Sequence, residues 1–119
     1  MTEEKYEWHR LTDAEDSVAG ERELSVREVN HKTLCFTRLE GKLCAFYHKC
    51  PHAGGELSEG YLDARGNIVC PIHRYKFDVR NGRNTSGEGY YLSTYPVEQR
   101  EDGIYVGFPK KRGLLDLFK

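Results

Sequence analysis

Short, largely apolar runs rich in β-formers recur along the chain. Turn residues separate them at Asn30-His31, Glu40-Gly41, Arg65-Gly66-Asn67, Asn81-Gly82 and Asp102-Gly103. Runs rich in β-branched and aromatic residues and bounded in this way read as strands of an antiparallel β domain. The pattern predicts strands at 22–29, 33–39, 42–47, 67–70, 76–79, 93–99 and 104–108. Asn81-Gly82 and Asp102-Gly103 are expected to be hairpin turns, because both residues of each pair accept a positive φ. One helix signal competes, since Thr12-Asp13-Ala14-Glu15 fits a capping box. The residues that follow, 16–20, offer no apolar face, so at most one or two helical turns are expected there.

Composition narrows the class. At 119 residues and 13.8 kDa, residues 1–119 make one domain. Lys plus Arg number 18 and Asp plus Glu 19, for a net charge of -1. That balance excludes nucleic acid as the main partner, because duplex binding needs a surplus of cations. Eight Tyr, five Phe and one Trp give the chain a core to bury, which argues against disorder. The longest uncharged apolar run, 43–47, is far short of the roughly 20 residues of a membrane span. Residues 1–11 are acidic and lack an apolar stretch, so no signal peptide is expected. The expected location is therefore cytoplasmic, with all four cysteines reduced. Charge is uneven: residues 1–28 carry nine acids and four bases, and residues 109–119 four bases and one acid. The basic and apolar tail at 109–119 is expected either to dock or to fray.

Two segments carry the chemistry: Cys50-Pro51-His52 and Cys70-Pro71-Ile72-His73. Each holds one thiol and one imidazole, and 17 residues separate His52 from Cys70. A tight turn at either spacing aims both side chains at one point. Pro51 and Pro71 stiffen the turns by fixing φ and removing a donor. Gly54 and Gly55 let the backbone approach a bulky inorganic group. Tetrahedral zinc is one reading of two thiols and two imidazoles. Zinc fingers usually keep Cys with Cys and His with His, whereas here each segment is mixed. The mixed pattern suits a two-iron cluster, with cysteines on one iron and histidines on the other.

These residues resemble the Rieske [2Fe–2S] signature. The resemblance extends through Cys50-Pro-His-Ala-Gly-Gly-Glu-Leu and Cys70-Pro-Ile-His-Arg-Tyr-Lys-Phe-Asp-Val-Arg-Asn-Gly, and through Thr94-Tyr-Pro-Val to the Ile104-Tyr-Val hairpin. It spans about 22–108. It implies an all-β Rieske-type fold, an antiparallel sandwich or barrel-like base with an inserted cluster-binding subdomain at about 47–78. It also implies one [2Fe–2S] cluster per chain. Cys50 and Cys70 would hold the buried iron, and His52 and His73 the outer iron through Nδ1. The implied role is a one-electron carrier, expected as a monomer, between an electron-donor reductase and an acceptor oxygenase or reductase protein. The chain is also similar to the small subunit of assimilatory nitrite reductase. A zinc-binding interaction module is the reading outside electron transfer.

Departures from the family pattern carry information. High-potential Rieske proteins add a disulfide between the cluster loops, at the positions held here by Gly55 and Ile72. They also place serine and tyrosine hydroxyls near the cluster, where this chain has Tyr75 and Phe77. Fewer hydrogen bonds to the sulfurs imply a reduction potential near the low end of the range, about -150 mV. Arg74 stands where many Rieske ferredoxins have glycine. With Lys76, Arg80 and Arg83 it forms either a docking patch or an ordinary solvated face. Gly87-Glu88-Gly89 is the nearest match to the family's cluster-covering segment. Cys35 and Cys44 are expected as buried thiols, diagonal neighbours across the Glu40-Gly41 hairpin. His48 lacks the ligand spacing, and His9 and His31 are expected at the surface.

Overall fold

The computed structural model describes residues 5–12, 18–51 and 54–110. Their strands are β1 (Tyr6–Thr12), β2 (Ser25–Val29), β3 (Lys32–Leu39), β4 (Lys42–Tyr47), β5 (Tyr61–Leu62), β6 (Asn67–Val69), β7 (Lys76–Asp78), β8 (Thr94–Tyr95), β9 (Val97–Arg100) and β10 (Gly103–Pro109). They form three antiparallel sheets, ordered β1-β10-β9, β2-β3-β4-β8 and β5-β6-β7. A single 3-10 turn, Leu57–Glu59, precedes β5. No helix among the described residues is long and apolar enough to cross a membrane.

The four-stranded sheet is the middle layer. Its two hairpins turn on Asn30 and His31 (φ 54° and 63°) and on Glu40 and Gly41 (φ 52° and 81°). Positive φ at both central residues matches the right-handed twist of the flanking strands. The second turn sets Leu39 opposite Lys42, Thr37 opposite Cys44 and Cys35 opposite Phe46, the pairing expected from the sequence.

Both faces of this sheet are covered. Leu34, Phe36 and Ala45 pack with Val18, Ala19, Val29, Ile104, Val106 and Phe108. Cys35, Leu39, Cys44 and Phe46 pack on the other side with Leu57, Ile68, Phe77, Val79, Leu92, Cys50 and Cys70. Burial on both faces explains why 34–37 and 44–46 read as unbroken runs rather than alternations. Phe36, Phe46 and Phe77 are fully buried, and each contributes about 2–3 kcal/mol of transfer free energy.

The smaller sheet is fastened to this base by Arg22, whose Nη1 donates to Asp63 O at 3.0 Å. The Val79 N–H, donating to Gly66 O at 3.2 Å, extends the β6–β7 pairing. Asp63 organises the turn between β5 and β6. Its Oδ1 accepts the Arg65 and Asn67 N–H groups at 2.9 and 3.0 Å, and its Oδ2 accepts Asn67 Nδ2 at 3.0 Å.

Several local expectations change. Strand β1 was not expected; it pairs along β10, with Trp8 opposite Gly107. A Cβ at Gly107 would stand 3.1 Å from the Trp8 ring, so glycine makes room for it. The strand expected at 22–29 starts at Ser25, because Arg22 takes φ 63° and its N–H bonds Arg38 O at 2.7 Å. The run 93–99 is cut at Pro96, where the missing donor lets the chain leave β4 for β10. The turn expected at Asp102-Gly103 is centred on Glu101-Asp102, since Arg100 pairs with Gly103. Only Gly82 of Asn81-Gly82 has a positive φ, 79°. There the Asp78 N–H donates to Arg83 O at 2.8 Å, closing a wider loop. Val18 and Ala19, expected without a packing face, are buried. The capping box reaches into residues 13–17, and most of the tail into 111–119, which lie outside the described residues.

Candidate metal centre

Cys50 and Cys70 begin two loops built alike. In the first, the Cys50 N–H donates to Gly55 O at 2.8 Å and the Gly54 N–H to Cys50 O at 2.9 Å. In the second, the Cys70 N–H donates to Tyr75 O at 2.8 Å and the Arg74 N–H to Cys70 O at 2.9 Å. The fourth residue after each cysteine closes the turn in the left-handed region: Gly54 at φ 73° and Arg74 at φ 61°. Arg74 thus adopts the conformation of the glycine it replaces in the resembling proteins, at a cost of about 1–2 kcal/mol.

The loops face each other. A Cβ on Gly55 would lie 3.4 Å from Cys70 Sγ. Both cysteines are buried in one packed cluster, 3% and 0% exposed. The Tyr75 phenol is pushed above its ordinary value, first by burial and then by Glu88, Tyr90, Cys50 and Cys70. Its field therefore includes both thiols. His73 is exposed, and its ring lies 5.9 Å from that of Tyr75. The fourth sequence-predicted residue, His52, lies outside the described residues.

The donor set fits a two-iron group. Such a cluster asks for two protein ligands on each iron. Buried thiols from opposed loops and an imidazole toward solvent suit that division. Among the described residues no three His, Cys, Asp or Glu side chains converge on a single-ion site.

Other candidates fall away from this centre. His48 Nδ1 lies 3.0 Å from Thr33 O and is engaged there. His9 is half-buried, its ring edge-on to Phe108 at 5.3 Å, whereas a surface position was expected. His31 is exposed in its hairpin turn. Cys35 and Cys44 are buried free thiols. Burial pushes Cys35 up to about 12 and raises Cys44 as well.

The segment after β7 holds what sequence reasoning missed. Asn84 Oδ1 accepts the N–H groups of Gly87, Glu88 and Gly89 at 2.8, 2.6 and 3.2 Å. Its Nδ2 donates to Lys76 O at 3.3 Å and to Glu88 Oε1 at 2.9 Å. One side chain therefore shapes the turn at Gly87-Glu88-Gly89. Beyond it, the Tyr90 ring stacks on Tyr75, with centroids 6.4 Å apart and planes at 16°. Tyr91 lines a groove of about 460 Å³ with Lys49, Cys50, Pro51 and Gly54. The available signal was Asn84 placed before two glycines, followed by adjacent tyrosines in a polar stretch.

Comparison with known proteins places this geometry. The Rieske [2Fe-2S] domain model matches residues 7–96. The ferredoxin component of the alkene monooxygenase system of Xanthobacter autotrophicus (strain ATCC BAA-1158 / Py2) is 26% identical over 85 residues, covering 71% of this chain and 70% of that protein. The ferredoxin component of the naphthalene 1,2-dioxygenase system of Pseudomonas putida is 35% identical over 71 residues, covering 59% and 67%. A chain from the complex of reduced oxygenase and oxidized ferredoxin in carbazole 1,9a-dioxygenase superposes with a TM-score of 0.71 at 29% identity, covering 87% and 95%.

Proposed function

The chain belongs to the Rieske [2Fe–2S] domain family and binds one [2Fe–2S] cluster; on that premise we propose that it is a cytoplasmic one-electron carrier from a reductase to an oxygenase. Cys50, His52, Cys70 and His73 hold the cluster, and residues 47–78 are its subdomain within a single domain, 1–119. Bound there, the cluster takes up and releases one electron at a time. The observation that carries the reading is the pair of matched loops, with buried thiols and His73 exposed at their outer end. Burial of Cys50 and Cys70 excludes water from the sulfur side. The exposed His73 edge gives a partner its nearest approach. Pro51 and Pro71 stiffen the turns, so the ligands keep their places as charge changes.

The test is the visible spectrum of anaerobically purified protein, followed by EPR after dithionite reduction. A red-brown protein with a Rieske-type reduced signal is expected. Cys50→Ser, His52→Ala, Cys70→Ser and His73→Ala should each abolish it, and a variant with the full spectrum overturns that ligand. Co-purification with a sirohaem subunit would instead assign the chain to a nitrite reductase.

A further inference from the structure

Four cations cluster in sequence beyond the second cysteine, and the structure divides them. Arg80 is held by Asp78, with Nε 2.8 Å from Oδ1. Lys76 lies 3.8 Å from Asp63 Oδ2. Arg74 and Arg83 are exposed, and neither side chain has an ion pair or hydrogen bond among the described residues. Two acids lie in the same region: Glu56 is the bridge partner of Lys49, and Glu88 is hydrogen-bonded to the neutral Asn84 and Ser86 side chains beside Tyr75.

Apolar surface gathers at the same end. Ile72, Tyr90 and Tyr91 are 52%, 41% and 69% exposed. Ile72 overlies Gly55 of the first loop. Tyr90 stacks on Tyr75, whose ring neighbours His73. Tyr91 borders Pro51 and Gly54, and Arg83 is its bridge partner. These side chains thus lie on or beside the two cysteine loops that carry His73. The backbone beneath them is fixed, since the Leu92 N–H donates to Gly82 O at 2.9 Å and Leu92 is buried.

Arg74 carries a left-handed φ where glycine is cheaper, and its guanidinium returns no described contact. Its backbone closes the cysteine loop, but a guanidinium at a strained position with no contact among the described residues points to a role outside the fold. Exposed Tyr and Arg side chains on a rigid backbone are also the usual anchors of protein interfaces.

We infer that Ile72, Arg74, Arg83, Tyr90 and Tyr91 form an aromatic and cationic docking patch around His73, selective for an acceptor protein whose entry site is an acidic rim around an apolar recess. The inference rests on the electron-carrier reading and adds the chemistry of the partner. The net charge of -1 would repel such a partner; the guanidiniums of Arg74 and Arg83, which have no ion pair among the described residues, reverse that locally, at the point where the electron leaves.

The test uses the dithionite-reduced holoprotein in a stopped-flow instrument, with ferricyanide as an anionic oxidant and tris(phenanthroline)cobalt(III) as a cationic one. The ferricyanide rate should rise as ionic strength falls, against the sign of the net charge. Arg74→Gln with Arg83→Gln should lower that rate at low salt by roughly threefold or more. The cobalt rate should rise, and the EPR signal should keep its Rieske form. Arg74→Lys with Arg83→Lys should restore the ferricyanide rate, which separates charge from local folding. Tyr91→Glu should also slow ferricyanide, and Tyr91→Phe should not. Redox-inert hexacyanochromate(III), a paramagnetic trianion, should broaden the NMR signals of Tyr90 and Tyr91 in the wild type and not in the double Gln variant. A ferricyanide rate that falls with falling salt, or that ignores the arginines, overturns the patch. A protein that forms no cluster, or reduces neither oxidant, overturns the electron-carrier reading itself.

Discussion

Ile72 closes over Gly55: a Cβ added to Gly55 would stand 2.7 Å from Ile72 Cδ1 and 2.9 Å from its Cγ1. The two positions where other Rieske proteins join their loops by a disulfide are therefore in contact here through an apolar side chain. Ile72 is half exposed and can swing aside, so Gly55→Ala should destabilise by about 1 kcal/mol, the low end of overpacking. Ile72→Ala in the same chain should recover most of that loss in a double-mutant cycle by urea unfolding. At Gly60 the obstacle is backbone, with Val69 O 1.9 Å from the added Cβ. Gly60→Ala should cost about 3 kcal/mol or more.

The potential follows from what surrounds the sulfurs. Phe77 is fully buried in the cluster of residues that includes Cys50 and Cys70, and it has no hydroxyl to donate. A midpoint near about -150 mV is expected by redox titration. Phe77→Tyr should raise it by about 40 mV for each kcal/mol of hydrogen bonding to the reduced cluster. A wild-type value above about +100 mV would contradict the argument.

Acid should loosen the smaller sheet. Burial alone would raise Asp63, but hydrogen bonds from Asn67 and Arg65 and the nearby Lys76 hold its carboxyl below the ordinary value. Asp78 is likewise raised by burial and brought lower by Arg80. The unfolded chain thus binds these protons more readily than the folded one. Stability is present above about pH 4 and lost as pH falls through the depressed folded values. Melting temperatures measured from pH 6 to pH 2 should show that fall, and Asp63→Asn should flatten it. The same variant should lose about 1 kcal/mol at neutral pH.

Thr37 is fully buried opposite Cys44, and its Oγ1 has no hydrogen-bond partner among the described residues. Thr37→Val keeps the shape and removes the orphaned hydroxyl. Chemical denaturation should show a gain of about 1 kcal/mol; a loss would mean that the hydroxyl is satisfied in solution.

The legible parts were those set by local chemistry. Glu40-Gly41 accepts positive φ at both positions, so the β3–β4 register follows from two residues. The paired Cys-Pro motifs marked the loops because each carries a thiol and an imidazole within four residues. Strand β1 was hidden, although Tyr6 and Trp8 alternate with Glu7, because acidic neighbours made the terminus read as solvated. Its stability comes from β10, about 100 residues away in sequence, a partner that no local pattern reveals. Pro96 and the Asn84 hub were visible as residues. Their effects depend on which sheet each flank joins and on which N–H groups curl round the amide.

Cys50 and Cys70 share one packed cluster with Leu39, Phe46 and Leu92 of the base. A cluster held by these cysteines would be a structural wall of the protein as well as its redox centre. Filling that site and completing the fold would then be coupled, as for other structural metal sites. An unfilled chain should melt earlier and be cut sooner by proteases.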